Sequence, residues 1–329
     1  MSLPPFHVLR PQSLDEAVNV LAKHAGKVRV IAGGTDLIPS LKQALFAPEF
    51  LLDARCIEDL QGISVRRGTE VEIGALTTLS TIEDSEFVRR NFPVLHEAVH
   101  VVASPILRNM GTIGGNICLD TRCLWYNQSL AWRKSCGFCI KKDGDLCHVA
   151  PGGTKCWATF SGDTAAALLC LDAEVEIANS REIRRVPLRD FYTKAGESHI
   201  SLGKDELLTR VFVPQSSAGW RGAYRKLRVR GSIDYPLAGV AVAIKTSNGK
   251  ASVVEDARVA ITAVNPAPLL VPGVGHAMVG RPVDEHIATV VGELAAKTAK
   301  PLTTSALTPE YRREMIRVYA KRAVLAATE

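Results

Sequence analysis

The chain reads as an α+β protein of three units. These are a small α/β unit over residues 1–58, a larger unit over 59–216, and a C-terminal α+β unit over 217–329 in which a three-stranded meander precedes helices. Three observations predict this. Short β-branched apolar runs alternate with a helical stripe at the start. A glycine-rich stretch and a long aperiodic segment interrupt the middle. Three strand-like runs are followed by two long helical ones at the end. Because 47% of the 329 residues are hydrophobic, the chain can fill two or three cores.

The elements follow in order. Ser13-Leu14-Asp15-Glu16 is a capping box, and Leu14, Ala17, Val18 and Leu21 form the apolar stripe of the helix it opens. Val28–Ala32 is a buried strand that stops at Gly33-Gly34-Thr35-Asp36, and Phe50–Asp53 is the next strand. In the second unit Val71–Ala75 reads as a strand and Val94–Val102 as a helix, with Leu95, Ala98 and Val102 on one side. Cys118–Phe160 has poor periodicity, and regular structure resumes with a helix from Asp163 to Leu171 and a strand Glu174–Ala178. A loop of that length inside a compact domain needs something to organise it. In the third unit Tyr224–Arg230, Leu237–Lys245 and Ala257–Val264 are meander strands, followed by helices around Glu285–Lys297 and Pro309–Ala327. The last helix has Thr308 as cap, Pro309 in its first turn, and Tyr311, Met315, Val318 and Tyr319 expected to face inward.

Composition excludes several functions. The net charge of +6 is spread out, and its densest stretches, Arg221–Arg230 and Arg312–Arg322, alternate with apolar residues. That is the pattern of a solvated strand or helix side, not of a nucleic-acid surface. No apolar run approaches the ~20 residues of a membrane span. Met1–Arg10 has no basic region followed by an apolar one, so a cytoplasmic chain with reduced cysteines is expected. Six of the eight cysteines lie between Cys118 and Cys156, which in a reducing compartment points to metal and not to disulfides.

The turn Gly33-Gly34-Thr35-Asp36 has a chemical use. Glycines let backbone approach a ligand closely, successive N–H groups form an anion-binding nest, and Thr35 adds a hydroxyl. A single such turn reads more readily as an ordinary strand end. Gly111-Thr112-Ile113-Gly114-Gly115-Asn116 repeats the ingredients, and two such loops suit one extended polyphosphate, such as the pyrophosphate of a dinucleotide. Neither loop is a G-x-G-x-x-G fingerprint and no Walker lysine follows, which argues against Rossmann-bound NAD and a P-loop nucleotide.

Ala32-Gly33-Gly34-Thr35-Asp36-Leu37, taken with Gly111–Asn116, resembles the paired FAD loops of the flavin subunits of the xanthine oxidase-family molybdenum hydroxylases. That family includes carbon monoxide dehydrogenase, xanthine dehydrogenase and 4-hydroxybenzoyl-CoA reductase. The likeness runs over the whole chain. It implies a two-subdomain FAD-binding domain of the vanillyl-alcohol oxidase/p-cresol methylhydroxylase type, then a C-terminal domain beginning near Tyr224-Arg225-Lys226. By the same resemblance Ile31, Ala32, Gly33, Gly34, Thr35, Asp36 and Leu37, with Thr112, Ile113, Gly114, Gly115 and Asn116, hold the FAD phosphates. Asp163 matches an acidic residue that contacts the cofactor, Lys226 a lysine near the flavin ring, and Leu237 a residue against the ring. On the residues alone, the alternatives are Asp163 as a helix cap and Lys226 as a solvated strand residue. A cation at Lys226 would favour anionic reduced flavin.

Most members of this family pass almost directly from the second glycine loop to the helix near Asp163, whereas this chain inserts residues 118–160. Four thiolates can hold Zn²⁺ or a [4Fe–4S] cluster. The one C-x₂-C, Cys136-Gly137-Phe138-Cys139, and the long remaining spacings leave both open. Thr121-Arg122-Cys123, Leu124–Ser129, Gly137-Phe138-Cys139, Asp145-Leu146-Cys147 and Thr154-Lys155-Cys156 resemble the cluster insertion of the 4-hydroxybenzoyl-CoA reductase β subunit, and periplasmic aldehyde oxidoreductases carry a related one. The resemblance implies Cys123, Cys139, Cys147 and Cys156 as [4Fe–4S] ligands. Cys136 competes from three residues away, Cys118 would pack near the cofactor, Cys56 and Cys170 read as buried small hydrophobes, and His148 reads as an exposed loop residue.

No carboxylate pair or Ser/His/Asp arrangement stands out, so no catalytic residue is assigned. The resemblance implies an electron-transfer subunit in a heterotrimer with a [2Fe–2S] subunit and a molybdenum-cofactor subunit, probed from outside by ferredoxin or a similar carrier. Electrons would run from ferredoxin through the cluster to FAD, to [2Fe–2S] and to molybdenum, for reductive dehydroxylation of a hydroxyaryl-CoA thioester. The alternatives are the flavin subunit of an aldehyde, N-heterocycle or purine hydroxylase and, from another class, a zinc-loop scaffold. A docking face for such partners is expected to be apolar and to leave the isolated chain sticky.

Overall fold

The computed structural model describes residues 2–66, 69–247 and 253–328. In the first unit β1 (His7–Leu9), β2 (Val28–Ile31) and β3 (Phe50–Asp53) form a parallel sheet in the order β1-β3-β2. The Ser13 hydroxyl accepts the Glu16 amide and starts the helix Leu14–Lys23, which buries Ala17, Val18 and Leu21. β2 stops at Ile31, so the first glycine loop hangs from the C-terminal end of a parallel strand, where open α/β sheets bind ligands.

The second unit is an antiparallel sheet of β4 (Ile63–Arg66), β5 (Glu70–Gly74), β6 (Glu174–Ala178), β7 (Ile183–Pro187) and β8 (Leu207–Pro214), ordered β4-β5-β8-β6-β7. β8, not anticipated from sequence, is the middle strand and joins β5 to β6 across a long excursion of the chain. The helix Thr164–Cys170 is buried along its whole length. An all-apolar Ala/Leu helix of this kind fits only between two layers, and here it packs against the C-terminal sheet, with the Cys170 thiol donating to the Ala241 carbonyl at 3.4 Å.

That sheet has four strands, one more than the expected meander. β9 (Arg221–Leu227), β10 (Ala238–Thr246), β11 (Val254–Thr262) and the short β12 (Leu269–Leu270) run antiparallel in the order β12-β11-β10-β9. β9 ends at Leu227, three residues before the expected end, because the chain turns out over residues 228–237 into the loop that reaches the site. Helices Glu285–Thr298 and Pro309–Ala326 cover one face. Among the described residues no helix is long and apolar enough to cross a membrane.

The last helix is turned about one residue from expectation. Arg312, Ile316, Ala320, Ala323 and Val324 face the sheet, Tyr311 is exposed, and Met315 and Tyr319 pack only at the margin. The cause is Arg312, whose place in a basic stretch suggested a solvated side. Its guanidinium is fully buried and donates to the carbonyls of Leu237 (2.8 Å), Leu302 (2.9 Å) and Ala263 (2.6 Å), while the alanines beneath it allow close packing on β9 and β10. Burial pushes it down to about 10, so it stays charged at neutral pH. Replacing it strands three buried carbonyls. Arg312→Met is therefore expected to lose about 3 kcal/mol or more in denaturant unfolding. Arg322→Met, on the exposed side, should stay within about 0.5 kcal/mol of the parent.

Candidate functional site

The two glycine loops meet backbone to backbone. A Cβ on Gly33 would lie 1.8 Å from the Met110 carbonyl oxygen, and one on Gly114 would lie 2.8 Å from the Ala75 carbonyl, so neither position has room for a side chain. Gly34 sits at φ +70°, which a side chain would strain. The second loop is held by Leu79 N to Gly111 O (2.8 Å), Ile113 N to Thr77 O (3.0 Å) and Gly114 N to Ala75 O (2.9 Å). Among the described residues the amides of Gly33, Gly34, Thr35 and Asp36 donate to no protein acceptor. A row of free amides from Gly33 to Asp36, ahead of Leu37 where a short helix begins, is a cradle of the kind that holds phosphate. Ile31 and Ala32 lead into it. Two side chains have structural tasks instead: the Thr112 hydroxyl accepts Gly115 N (3.1 Å), and the Asn116 side-chain carbonyl accepts Thr164 N (3.2 Å) and the Thr164 hydroxyl (2.7 Å).

Asp36 carries a link that sequence reasoning missed. Its carboxylate accepts from the Arg122 guanidinium and from the Tyr235 hydroxyl (2.7 Å), and the Arg122 guanidinium lies 3.7 Å above the Tyr235 ring. Three units of the chain thus meet at one carboxylate of the first glycine loop.

Asp163 and Lys226 form a buried ion pair, with Nζ to carboxylate 3.0 Å. Lys226 also donates to the Val101 carbonyl (2.9 Å) and the Tyr224 hydroxyl to Asp163 (2.8 Å). Both residue-level alternatives are corrected. Asp163 makes no capping bond to the helix that follows it, and Lys226 is buried on β9. Burial pushes the Asp163 carboxyl upward, against the pull of Lys226 and Tyr224. Lys226 is thus paired with a buried acid and does not stand alone. Leu237 is half-buried, its carbonyl held by Arg312 at the end of the loop that carries Tyr235.

The insertion is closed at its base by a pair of backbone bonds, Arg122 N to Thr159 O (2.8 Å) and Thr159 N to Arg122 O (2.7 Å). Inside it Cys123, Cys139, Cys147 and Cys156 are all buried and line one tight apolar space, together with Lys141 and His148. Cys136 is not on that lining; it is half-buried at the C-terminal end of the helix Leu130–Ser135, beside the Ser135 hydroxyl at 4.0 Å. His148 is not an exposed loop residue. Its ring stacks on Trp125 at 4.4 Å and its Nε2 lies 2.5 Å from the Phe138 carbonyl. Cys170 is buried in a helix, Cys56 only half-buried, and Cys118 ends the helix after the second glycine loop beside the core.

The donor set fits a metal. Burial pushes the Cys123 thiol up to about 11 and the Cys156 thiol up to about 12, so both keep their protons unless a cation replaces them. One amide already points at a sulfur, from Ala158 to Cys156 (3.2 Å). Such bonds to sulfur are a feature of iron–sulfur sites. A Cβ on Gly196 would lie 2.9 Å from the Cys156 sulfur, so that glycine is required by the packing. Among the described residues no group of three His, Cys, Asp or Glu side chains is arranged to hold a single ion.

Behind the cysteines, Lys141 donates to Asp120 (2.8 Å), the Thr121 hydroxyl (2.6 Å) and the Gly196 carbonyl (2.7 Å). Burial works against the Asp120 carboxylate, but Lys141 holds it below the usual range. His199, 3.9 Å from Asp120, is pushed down to about 4 by burial and is neutral at pH 7. None of these residues carried a local sequence signal.

Comparison with known proteins places these features in a family. The profile described as "FAD binding domain in molybdopterin dehydrogenase" matches residues 4–216, and "CO dehydrogenase flavoprotein C-terminal domain" matches 222–327. The chain is 33% identical over 319 residues to the carbon monoxide dehydrogenase medium chain of Afipia carboxidovorans, covering 97% of this chain and 95% of that one. It is 34% identical over 233 residues to the aldehyde oxidoreductase FAD-binding subunit PaoB of Escherichia coli, covering 68% and 73%. A solved Cu,Mo-CO dehydrogenase in its cyanide-inactivated form superposes with a TM-score of 0.81 at 31% identity, covering 99% of each chain.

Two outcomes test this geometry. Gly33→Val, whose side chain would collide with the Met110 carbonyl, is expected to strip most of the flavin from the purified protein. Gly275→Ala, with nothing within 4 Å of the added carbon, should keep full flavin by absorbance. Full flavin in Gly33→Val would show that the loops do not hold it. For His199, the folded value of about 4 lies below the ~6.5 of an unfolded histidine, so the unfolded chain binds the extra proton and stability is lost as pH falls between these values. His199→Gln should flatten the fall in Tm across that window, and parallel curves for variant and parent would contradict the burial argument.

Proposed function

This chain belongs to the FAD-binding subunits of the molybdopterin dehydrogenases and is an oxidoreductase subunit, and we propose that it carries two redox groups. One is a non-covalent FAD, on the backbone of Ile31–Leu37 and Thr112–Asn116 with Asp163, Lys226 and Leu237 toward the ring. The other is a [4Fe–4S] cluster on Cys123, Cys139, Cys147 and Cys156. The observation that carries the second assignment is the one tight space lined by four buried cysteines, with an amide directed at the Cys156 sulfur. A tetrahedral zinc needs all four sulfurs about 2.3 Å from one point; the insertion's resemblance to the cluster loop of 4-hydroxybenzoyl-CoA reductase supports the polynuclear cluster.

When bound, FAD supplies one- and two-electron chemistry and the cluster one-electron chemistry. The chain does the holding. The free amides of the first loop meet the phosphate charge, the Asp163–Lys226 pair sets a fixed dipole, and Arg122, next to Cys123, ties the cluster loop to Asp36 of the flavin loop. Substrate chemistry is assigned to a molybdenum-cofactor partner, reached through a [2Fe–2S] partner. The insertion leaves Leu124, Leu130, Trp132 and Leu146 exposed, an apolar surface of the kind partner subunits cover.

Within this reading, the insertion's resemblance to 4-hydroxybenzoyl-CoA reductase supports inward electron flow, with the complex removing a phenolic hydroxyl from a hydroxyaryl-CoA thioester. The similarity to an aldehyde oxidoreductase subunit favours a second reading with electrons flowing outward from an aldehyde. Incubating the co-purified complex with hydroxyaryl-CoA and a low-potential donor, and separately with aldehydes and an acceptor, separates the two.

The cluster assignment is tested on the chain itself. Changing Cys123, Cys139, Cys147 or Cys156 to Ser should each lower iron by about four atoms per chain while leaving much of the flavin, and Cys136→Ser should leave iron unchanged. Loss of iron in Cys136→Ser with retention in Cys139→Ser would overturn the ligand set. One zinc per chain without iron would overturn the cluster.

A further inference from the structure

A cleft of about 490 Å³ opens where the insertion, the turn at Lys194 and the C-terminal unit meet. Four lysines from three stretches of chain line it, Lys155, Lys194, Lys297 and Lys300, and no carboxylate does. Among the described residues none of the four is paired with an acid. Lys155 lies instead over the Trp157 ring at 4.3 Å, and Lys194 is held at φ +65°, a conformation uncommon for a residue with a side chain. Like charges gathered in one cleft repel and add nothing to the fold, so their use lies in meeting an anion.

The location narrows the anion. Lys155 and Trp157 flank Cys156, whose buried sulfur lines the four-cysteine space, so cleft and cavity share one wall of three consecutive residues. A small polyanion would satisfy the lysines but would have no reason to bind against a cluster ligand. A protein that exchanges electrons would.

We propose that this cleft is the docking site of an acidic one-electron carrier protein, seated on Lys155, Lys194, Lys297 and Lys300 with its redox centre against the Lys155–Trp157 segment. The proposal rests on the cluster reading above. The exchange balances simply: one electron leaves the reduced carrier and one enters the cluster behind Cys156, with no bond made and no proton moved. The chain's net charge of +6 adds long-range steering of the same sign.

The test uses the assembled complex with all four lysines changed to Glu, and a second variant with all four changed to Gln. Reduction by an acidic reduced ferredoxin is followed by stopped flow across a range of salt, with methyl viologen radical as a small donor that needs no docking. The Glu variant should slow ferredoxin reduction by about tenfold or more at low salt, the Gln variant less, and the parent rate should fall as salt rises, while viologen reduction does not slow. Ferredoxin rates unaffected by either variant or by salt would overturn the proposal. So would pyrophosphate binding that is lost in the variants while ferredoxin affinity is kept. Iron content and calorimetric affinity for oxidised ferredoxin, read on the same samples, keep the two readings apart. Absent iron sinks the cluster, whereas unchanged ferredoxin affinity in the Glu variant sinks the docking site.

Discussion

Two backbones come closer at Gly33 and Met110 than any side chain would allow, and the proposed cofactor site depends on that approach. The first loop belongs to a parallel sheet and the second to an antiparallel one, so only their contact turns two separate turns into one surface of amide groups. Gly114 against Ala75 repeats the constraint on the other side. Backbone amides cost no side-chain entropy to position and cannot be displaced by a rotamer change, which makes them suited to a fixed anion. The ion pair of Asp36 with Arg122, and the Tyr235 hydroxyl, then fasten the flavin loop to the insertion and to the C-terminal unit.

The insertion obeys a different constraint. It holds one short helix, and its order comes from the backbone bonds between Arg122 and Thr159, the stacking of Trp125 on His148, and the buried network around Lys141. Burial raises the Cys123 and Cys156 thiols, so metal binding would displace their protons and couple occupancy to local stability and to pH. Because Arg122 adjoins Cys123 and bonds Asp36, ordering of this loop reaches the flavin loop through a single side chain.

Much of this was legible in the sequence for identifiable reasons. Glycine loops, a capping box and an Ala/Leu helix are local patterns, and the structure places them where those patterns indicate. Cysteine clustering pointed to a metal loop but could not choose zinc or cluster, nor could it separate Cys136 from Cys139 as candidates. Burial separates them, since only Cys139 lines the cavity. What escaped was long-range. Arg122 and Tyr235 lie 86 and 199 residues from Asp36, and nothing in their neighbourhoods announces the contact. β8 went unread although Leu207–Pro214 is a near-continuous apolar run, since burial on both faces removes the alternation that marks a strand. The last helix was turned by a buried arginine that composition assigns to solvent.

The claim that four thiols close around an iron cluster is decided most directly by anomalous diffraction from crystals of the native protein, recorded at the iron and zinc edges. The account predicts a strong iron-edge signal inside the space bounded by Cys123, Cys139, Cys147 and Cys156, with none at Cys136. A zinc-edge peak at a single point among those sulfurs, or no anomalous signal in the cavity, would contradict it.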